Sequence, residues 1–271
     1  MSGPLSALDS LILGVVEGVT EYLPVSSTGH LVVVQRWLGL GDAVGRDAAD
    51  TYAIAIQVGA IFAVVLLYWS RLVSMVKGLF GRDAEGRTVL GLLAVSFLPA
   101  AVIGGAFGDS IKDKLFSPGP VVAAWAVGGL FLVMWKPRPG TREISTLGVR
   151  GALIIGVAQS LALWPGVSRS LVTIAAALML GCSMSAALEY SFLLGLATLS
   201  AATVLDLAKN GDVLVNDYGI ARPALGIVVA FVTAAVSVRW LVGFLSKRPL
   251  SRFGWYRLFA AVATLVLWST L

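Results

Sequence analysis

Leu23-Pro24-Val25-Ser26-Ser27-Thr28-Gly29 breaks an otherwise apolar stretch running from 5 to 40, and Trp164-Pro165-Gly166-Val167-Ser168-Arg169-Ser170 breaks a second running from 151 to 181. The halves flanking each break are roughly 11 to 18 residues long, short of the ~20 that a helix needs to cross a hydrocarbon core about 30 Å thick. Each break holds a proline, which removes a helical hydrogen bond, amid small polar residues. Both stretches are therefore predicted to be re-entrant helical hairpins.

Outward from these two breaks, uninterrupted apolar spans at 52–69, 89–107, 121–135, 186–205, 223–245 and 255–271 predict six full crossings. Of the 271 residues 58% are hydrophobic and 13% charged, against about 45–50% and about 25% in soluble domains. That excludes a soluble globular protein. A net charge of +5 would suggest nucleic acid in a soluble chain, but here the lysines and arginines sit in short loops, so the expected partner is the lipid bilayer and no nucleic acid. Cys182 is the single cysteine, which excludes an internal disulfide. The N-terminus lacks a basic leader and carries Asp9 and Glu17, so it is expected to belong to the fold rather than to a signal peptide.

Charge sets the orientation. Arg71, Lys77, Arg82 and Arg87 crowd one loop, Lys136, Arg138, Arg142 and Arg150 another, and Lys247, Arg248 and Arg252 a third; these are expected on the cytoplasmic side. Loops with Asp42, Asp47 and Asp50, with Asp109 and Asp113 beside Lys112 and Lys114, and with Asp206, Asp212 and Asp217 are expected outside. Parity then makes the first hairpin enter from outside and the second from the cytoplasm, their tips pointing toward each other. Laying residue i on i+142 pairs Gly14 with Gly156, Val15 with Val157, Glu17 with Gln159, Tyr22 with Trp164, Val25 with Val167, Ser26 with Ser168 and Thr28 with Ser170. The expected fold class is an all-α polytopic membrane protein of six full transmembrane helices plus two re-entrant helical hairpins related as an inverted repeat. It forms a single integral membrane domain, 1–271, with repeats at approximately 1–136 and 150–271. Transporters use such broken helices to build buried polar sites at the midplane.

The chemistry concentrates at the tips. Glu17 and Glu21 lie one turn apart on a helix face, and each acidic side chain at mid-membrane costs roughly 2.5 to 3.5 kcal/mol. A divalent cation, an arginine or a shared proton could offset this; solvated carboxylates at an outer helix end are the plainer alternative. Ser26, Ser27 and Thr28 offer three hydroxyls, and His30 is the sole histidine, suited to acid/base work. The same hydroxyls would also cap the helix beginning near Leu31. The second tip supplies Arg169, whose donor fork suits phosphate, with Ser168, Ser170 and Thr173 beside it at a helix start; an arginine snorkelling to the cytoplasmic surface is the alternative. Anion cradle, carboxylates and acid/base groups together fit phosphoryl transfer. No P-loop is present, which argues against nucleotide hydrolysis.

Glu17-Gly-Val-Thr-Glu21-Tyr-Leu-Pro-Val-Ser-Ser-Thr-Gly-His30 and Pro165-Gly-Val-Ser-Arg-Ser170 resemble the two signature motifs of undecaprenyl-diphosphate phosphatases of the bacitracin-resistance type. Ile56-Gln57-Val58-Gly59, Phe97-Leu98-Pro99-Ala100 and Glu189-Tyr190-Ser191-Phe192-Leu193-Leu194 look like family segments too. The resemblance implies a multi-pass enzyme of the bacterial inner (plasma) membrane, its site open to the periplasmic side. It would cleave undecaprenyl diphosphate to undecaprenyl phosphate and inorganic phosphate with a divalent cation, Mg²⁺ or Ca²⁺. A polyprenyl diphosphate lipid is the implied partner, and self-association into a homo-oligomer is compatible with it.

Glu17, Glu21, Ser27, His30 and Arg169 are the candidate catalytic residues. Ser26, Thr28, Ser168, Ser170 and Thr173 are candidates for binding substrate, and Glu17 and Glu21 for holding metal. The expected mechanism has Arg169 holding the diphosphate, Ser27 or a water attacking, and His30 relaying the proton, with Ser26, Ser168 and Ser170 as rival nucleophiles. Three positions depart from the family: Thr28 for serine, Tyr190 for phenylalanine, and Leu171 for glycine, the last raising the question whether the backbone near Arg169 is the family's. The alternative function is a transporter or flippase for polyprenyl phosphate or another anion; a membrane scaffold would leave Glu17, Glu21 and Arg169 unexplained.

Overall fold

A computed structural model describes residues 5–40, 46–138 and 140–269, and among these the chain is helical, with one isolated bridge between Arg142 and Cys182. The helices are α1 (Ala7–Thr20), α2 (Ser27–Trp37), α3 (Arg46–Leu67), α4 (Trp69–Leu79), α5 (Ala84–Leu115), α6 (Pro118–Met134), α7 (Gly148–Ser160), α8 (Arg169–Met179), α9 (Met184–Tyr218), α10 (Ala221–Leu245) and α11 (Ser251–Ser269). Both interrupted stretches are broken where the prolines predict, α1 and α2 flanking the first tip and α7 and α8 the second.

Four helices are long and apolar enough to cross a membrane: Asp47–Leu67, Ala84–Gly108, Met184–Tyr218 and Ala221–Leu245. Only 22% of the most apolar window of Ala84–Gly108 is buried within the protein, and Leu98, Val102, Val204, Val232 and Val236 stand exposed while Glu17 and Arg257 are buried. Apolar groups outside and charges inside reverse the order water would impose, so lipid is the solvent. The protein is an integral membrane protein. The other two expected crossings are α6, of 17 residues, and α11, of 19, which carries Arg252 and Arg257.

Hydropathy misplaces several helix ends. Asp206, Asp212 and Asp217, expected in an outer loop, lie on α9, a helix of 35 residues, and at 1.5 Å per residue its length far exceeds the hydrocarbon core. Asp109, Lys112, Asp113 and Lys114 likewise ride on the end of α5, where Lys112 pairs with Asp50 of α3 at 3.0 Å. Asp47 is in the first turn of α3, and Asp42 lies outside the described residues. The basic segment after 69, expected to be a loop, holds α4, whose Arg71 pairs with Glu85 at 2.7 Å and Glu189 at 2.6 Å. Asp83 caps α5: the Gly86 amide at 2.8 Å and the Ser74 hydroxyl at 2.6 Å hold its carboxyl below the ordinary range.

The hairpins are wedged between long helices. α1 lies along α10 and α7 along α5, while α3 packs on α9 and α6 on α11. Small residues and hydroxyls make the α1–α10 seam: a Cβ at Gly14 would stand 2.7 Å from the Gly226 carbonyl, one at Gly18 would overlap Thr233 Oγ1, and Ser237 Oγ donates to the Val19 carbonyl at 2.9 Å. Gly18→Val is expected to cost about 1–3 kcal/mol by overpacking, read as a lower thermal midpoint in detergent; an unchanged midpoint would show that the seam yields freely.

Candidate active site

The site begins at the end of α1. Glu17 is 0% exposed, and neither carboxylate oxygen has a hydrogen-bond partner among the described residues. Glu21, the C-cap of α1, keeps its amide on the Glu17 carbonyl at 2.9 Å. Its Oε1 accepts from Arg169 Nη2 at 2.8 Å and its Oε2 from the Ser27 hydroxyl in a very short contact. One carboxylate thus joins the first tip to the second.

Ser26 and Ser168 form the turns. They are the two non-glycine residues with positive φ among the described residues, at φ 72°, ψ 99° and φ 75°, ψ 112°, a conformation costing of order 1–3 kcal/mol that surrounding contacts must hold. Each caps the helix after it, Ser26 Oγ accepting from the Gly29 amide and Ser168 Oγ from the Leu171 amide, both at 3.3 Å. The first cap is therefore Ser26, and α2 starts at Ser27 rather than near Leu31. Across the interface the Gly166 amide donates to Ser26 Oγ at 3.1 Å. Position 24 is a proline without an N–H, so the reciprocal bond cannot form, and Ser168 and Ser170 donate to the Leu23 carbonyl at 3.4 and 2.7 Å instead.

Arg169 does not snorkel: its side chain is 11% exposed. Beside the Glu21 contact, Nη1 donates to the Ser191 carbonyl at 3.1 Å, and the guanidinium carbon lies 5.5 Å from the centre of the Tyr22 ring. A Cβ at Gly195 would overlap the guanidinium as placed, so glycine there leaves room for the fork. Thr173 Oγ1 bonds the Arg169 carbonyl at 2.8 Å and Ser191 Oγ at 2.7 Å. Leu171 occupies ordinary helical backbone in α8 and packs in the core, so the leucine sits there without backbone strain.

Of the predicted residues, the structure brings Glu21, Ser27 and Arg169 into direct contact, with Glu17 one turn away. Ser26, Ser168 and Ser170 spend their hydroxyls tying the tips together, Thr173 ties α8 to Ser191 of α9, and Thr28, half-buried, makes no side-chain hydrogen bond among the described residues. His30 faces away from the Glu21–Arg169 pair. Its Nδ1 lies 2.7 Å from the Ser26 carbonyl and so carries the proton, and Nε2, 2.8 Å from the Tyr256 hydroxyl, accepts from it. The ring packs 4.7 Å from Trp125, whose Nε1 donates to the Val25 carbonyl at 2.9 Å.

Trp125, Tyr256 and Arg257 lie outside the motifs, and Ser191 falls in the family-like segment 189–194 without being singled out. Arg257 carries a signal of its own, a charge within the last apolar span, the same cue that marks Glu17. For a cation the donor set is narrow: among the described residues no three His, Cys, Asp or Glu converge. The orphaned oxygens of Glu17, with Glu21 a turn away, nonetheless fit a hard cation that completes its shell with water and phosphate oxygens.

Fold and site together define an integral membrane protein in which two broken helices enclose a carboxylate–hydroxyl–arginine cluster. The profile of the bacitracin resistance protein BacA family matches residues 10–263, and the chain belongs to that family. It is 43% identical to an undecaprenyl-diphosphatase of Sorangium cellulosum over 267 residues, 96% of this chain and 85% of that one. It is also 43% identical to undecaprenyl-diphosphatase 2 of Rhodospirillum rubrum (97% and 96% covered) and 40% to that of Dechloromonas aromatica (98% and 96%).

Proposed function

We propose that this protein is an undecaprenyl-diphosphatase, which hydrolyses undecaprenyl diphosphate to undecaprenyl phosphate and inorganic phosphate, recycles the lipid carrier for cell-wall synthesis and confers resistance to bacitracin. Family membership and relatives of that name over nearly the whole chain support the activity. The observation that carries the chemistry is the Glu21 bridge between Ser27 and Arg169. Arg169 is a buried cation neutralised by a carboxylate until a diphosphate arrives to compete for its fork.

In this mechanism Ser27 Oγ attacks the terminal phosphorus while its proton passes to Glu21. The bond between that phosphorus and the bridging oxygen breaks, and undecaprenyl phosphate leaves. Water then hydrolyses the phosphoserine, releasing inorganic phosphate. The bond from Ser27 to Glu21 favours the carboxylate over His30 as the first proton acceptor. Arg169 and the amides at the start of α8 stabilise charge on the phosphoryl group. Glu17 and Glu21 would hold the divalent cation, Mg²⁺ or Ca²⁺, which when bound offsets negative charge on the substrate.

We assign the chain to the bacterial inner membrane as six crossings and two re-entrant hairpins in an inverted repeat, with the site open to the periplasmic side. The matched geometry of Ser26 and Ser168, 142 positions apart, and the equal lengths of α2 and α8, 11 residues each, support the repeat. The test is phosphate release from undecaprenyl diphosphate by the detergent-purified protein, with and without chelator. Cation-dependent release is expected; no release, with lipid moved between vesicle leaflets, would overturn the assignment. Tyr256→Phe is expected to keep turnover within about fivefold of wild type, since one neutral hydrogen bond is worth about 1 kcal/mol. A loss beyond about a hundredfold would place Tyr256 in the reaction path.

A further inference from the structure

Arg257 on α11 is 0% exposed and takes no part in the chemistry above. A buried guanidinium normally needs a carboxylate, because desolvating a charge costs several kcal/mol. Among the described residues none lies within ion-pair distance. Its partners are four backbone carbonyls: Nη2 donates to Gly166 at 2.7 Å and Ala124 at 2.8 Å, and Nη1 donates to Val167 at 3.3 Å and Pro24 at 3.4 Å. Pro24 belongs to the first tip, Gly166 and Val167 to the second, and Ala124 to α6. Non-helical backbone at membrane depth has no water to satisfy it, and here one side chain donates to carbonyls of both tips.

The surroundings are shaped for this fork. A Cβ at Gly128 of α6 would overlap Nη2, so glycine clears the guanidinium's place. Lysine, a point donor on a flexible stem, could not span carbonyls from three segments, whereas the planar guanidinium does. Its acceptor Pro24 is three residues from both Glu21 and Ser27, and its acceptor Val167 is two residues from Arg169.

We propose that Arg257 is a positioning residue: by gripping the carbonyls of both tips it holds Ser27 and Glu21 of one in register with Arg169 of the other. The proposal rests on the phosphatase reading for its kinetic consequence but not for its structural one. The experiment compares full-length wild type, Arg257→Met, Arg257→Lys and Gly128→Ala in detergent, measuring phosphate release from undecaprenyl diphosphate and amide hydrogen exchange.

In Arg257→Met, kcat per folded molecule is expected to fall roughly 10²-fold with KM little changed, the penalty of misplacing reacting groups by about 1 Å. Exchange should rise at 22–27 and 165–169 while α3 and α10 stay protected. Arg257→Lys is expected to behave like Arg257→Met, and Gly128→Ala, which keeps the charge but crowds the fork, to show the same pattern more weakly. Full turnover in Arg257→Lys would reduce the role to charge and overturn the proposal, as would a raised KM at unchanged kcat. Should Arg257→Met fail to fold, wild-type turnover and wild-type exchange in Gly128→Ala would overturn it equally. If the wild type releases no phosphate, the functional assignment fails, and the exchange at the tips still decides whether Arg257 holds them.

Discussion

Arg169→Ala is expected to lower kcat/KM for phosphate release by roughly 10³-fold or more, the range seen when an arginine that stabilises a transferring phosphoryl group is lost. Two effects combine. The substrate loses its fork of donors, and Glu21, buried at 7% exposure, loses the cation at 2.8 Å that neutralises it. Stranding one partner of a buried pair costs about 3–5 kcal/mol, so the variant should also unfold at lower temperature. Arg169→Lys separates the two: it restores charge beside Glu21 and hence most of the stability, but a single ammonium cannot reproduce the contacts to Glu21, the Ser191 carbonyl and phosphate together. Near-wild-type turnover in Arg169→Ala, measured on folded protein, would remove the arginine from the mechanism.

Glu21→Gln should be almost as severe, with kcat falling roughly 10²- to 10⁴-fold, the contribution of a positioned proton acceptor. Glutamine preserves the shape and can still accept from Arg169, so KM should move little. Glu17→Gln tests a different property. Neither oxygen of Glu17 has a hydrogen-bond partner among the described residues, so its loss should chiefly raise the concentration of Mg²⁺ or Ca²⁺ needed for half-maximal activity, with turnover recovering at high cation. A Glu17→Gln enzyme with unchanged cation dependence would leave the carboxylate without a metal-binding role. If Glu21→Gln turned over normally, Ser27 would need another base.

The two broken stretches are readable from local composition. A proline among small polar residues, with apolar halves too short to span, has one comfortable solution in lipid. The boundaries were readable only to the edge of the hydrocarbon. Lipid solvation rewards apolar residues over about 30 Å, whereas helical hydrogen bonding continues into the headgroups, so Asp206 to Asp217 are helical on α9 although hydropathy reads them as loop. α4 escaped for the same reason: Arg71 and Lys77 look like loop charges, yet Arg71 finds Glu85 and Glu189 across the helix interface.

Within the site, sequence spacing placed Glu17 beside Glu21 and Ser27 near His30, because neighbours three or four apart share a helix face. It could not reveal that Glu21 bridges Ser27 to Arg169, a partner 148 positions away. Nor could it reveal that His30 turns to Tyr256, 226 positions away, instead of toward the carboxylates.

By itself, then, the sequence determined that this chain lives in lipid, where it breaks, and which charged and hydroxyl groups each break carries, because every segment meets the bilayer individually and local composition states the outcome. Only the tertiary structure decided which of those groups touch. Arg257 reaches the first tip from 233 positions along the chain and the second from 91, and Trp125 and Gly195 shape the space beside them. Such contacts arise from the packing of α6, α9 and α11 around the hairpins, and no local spacing encodes them.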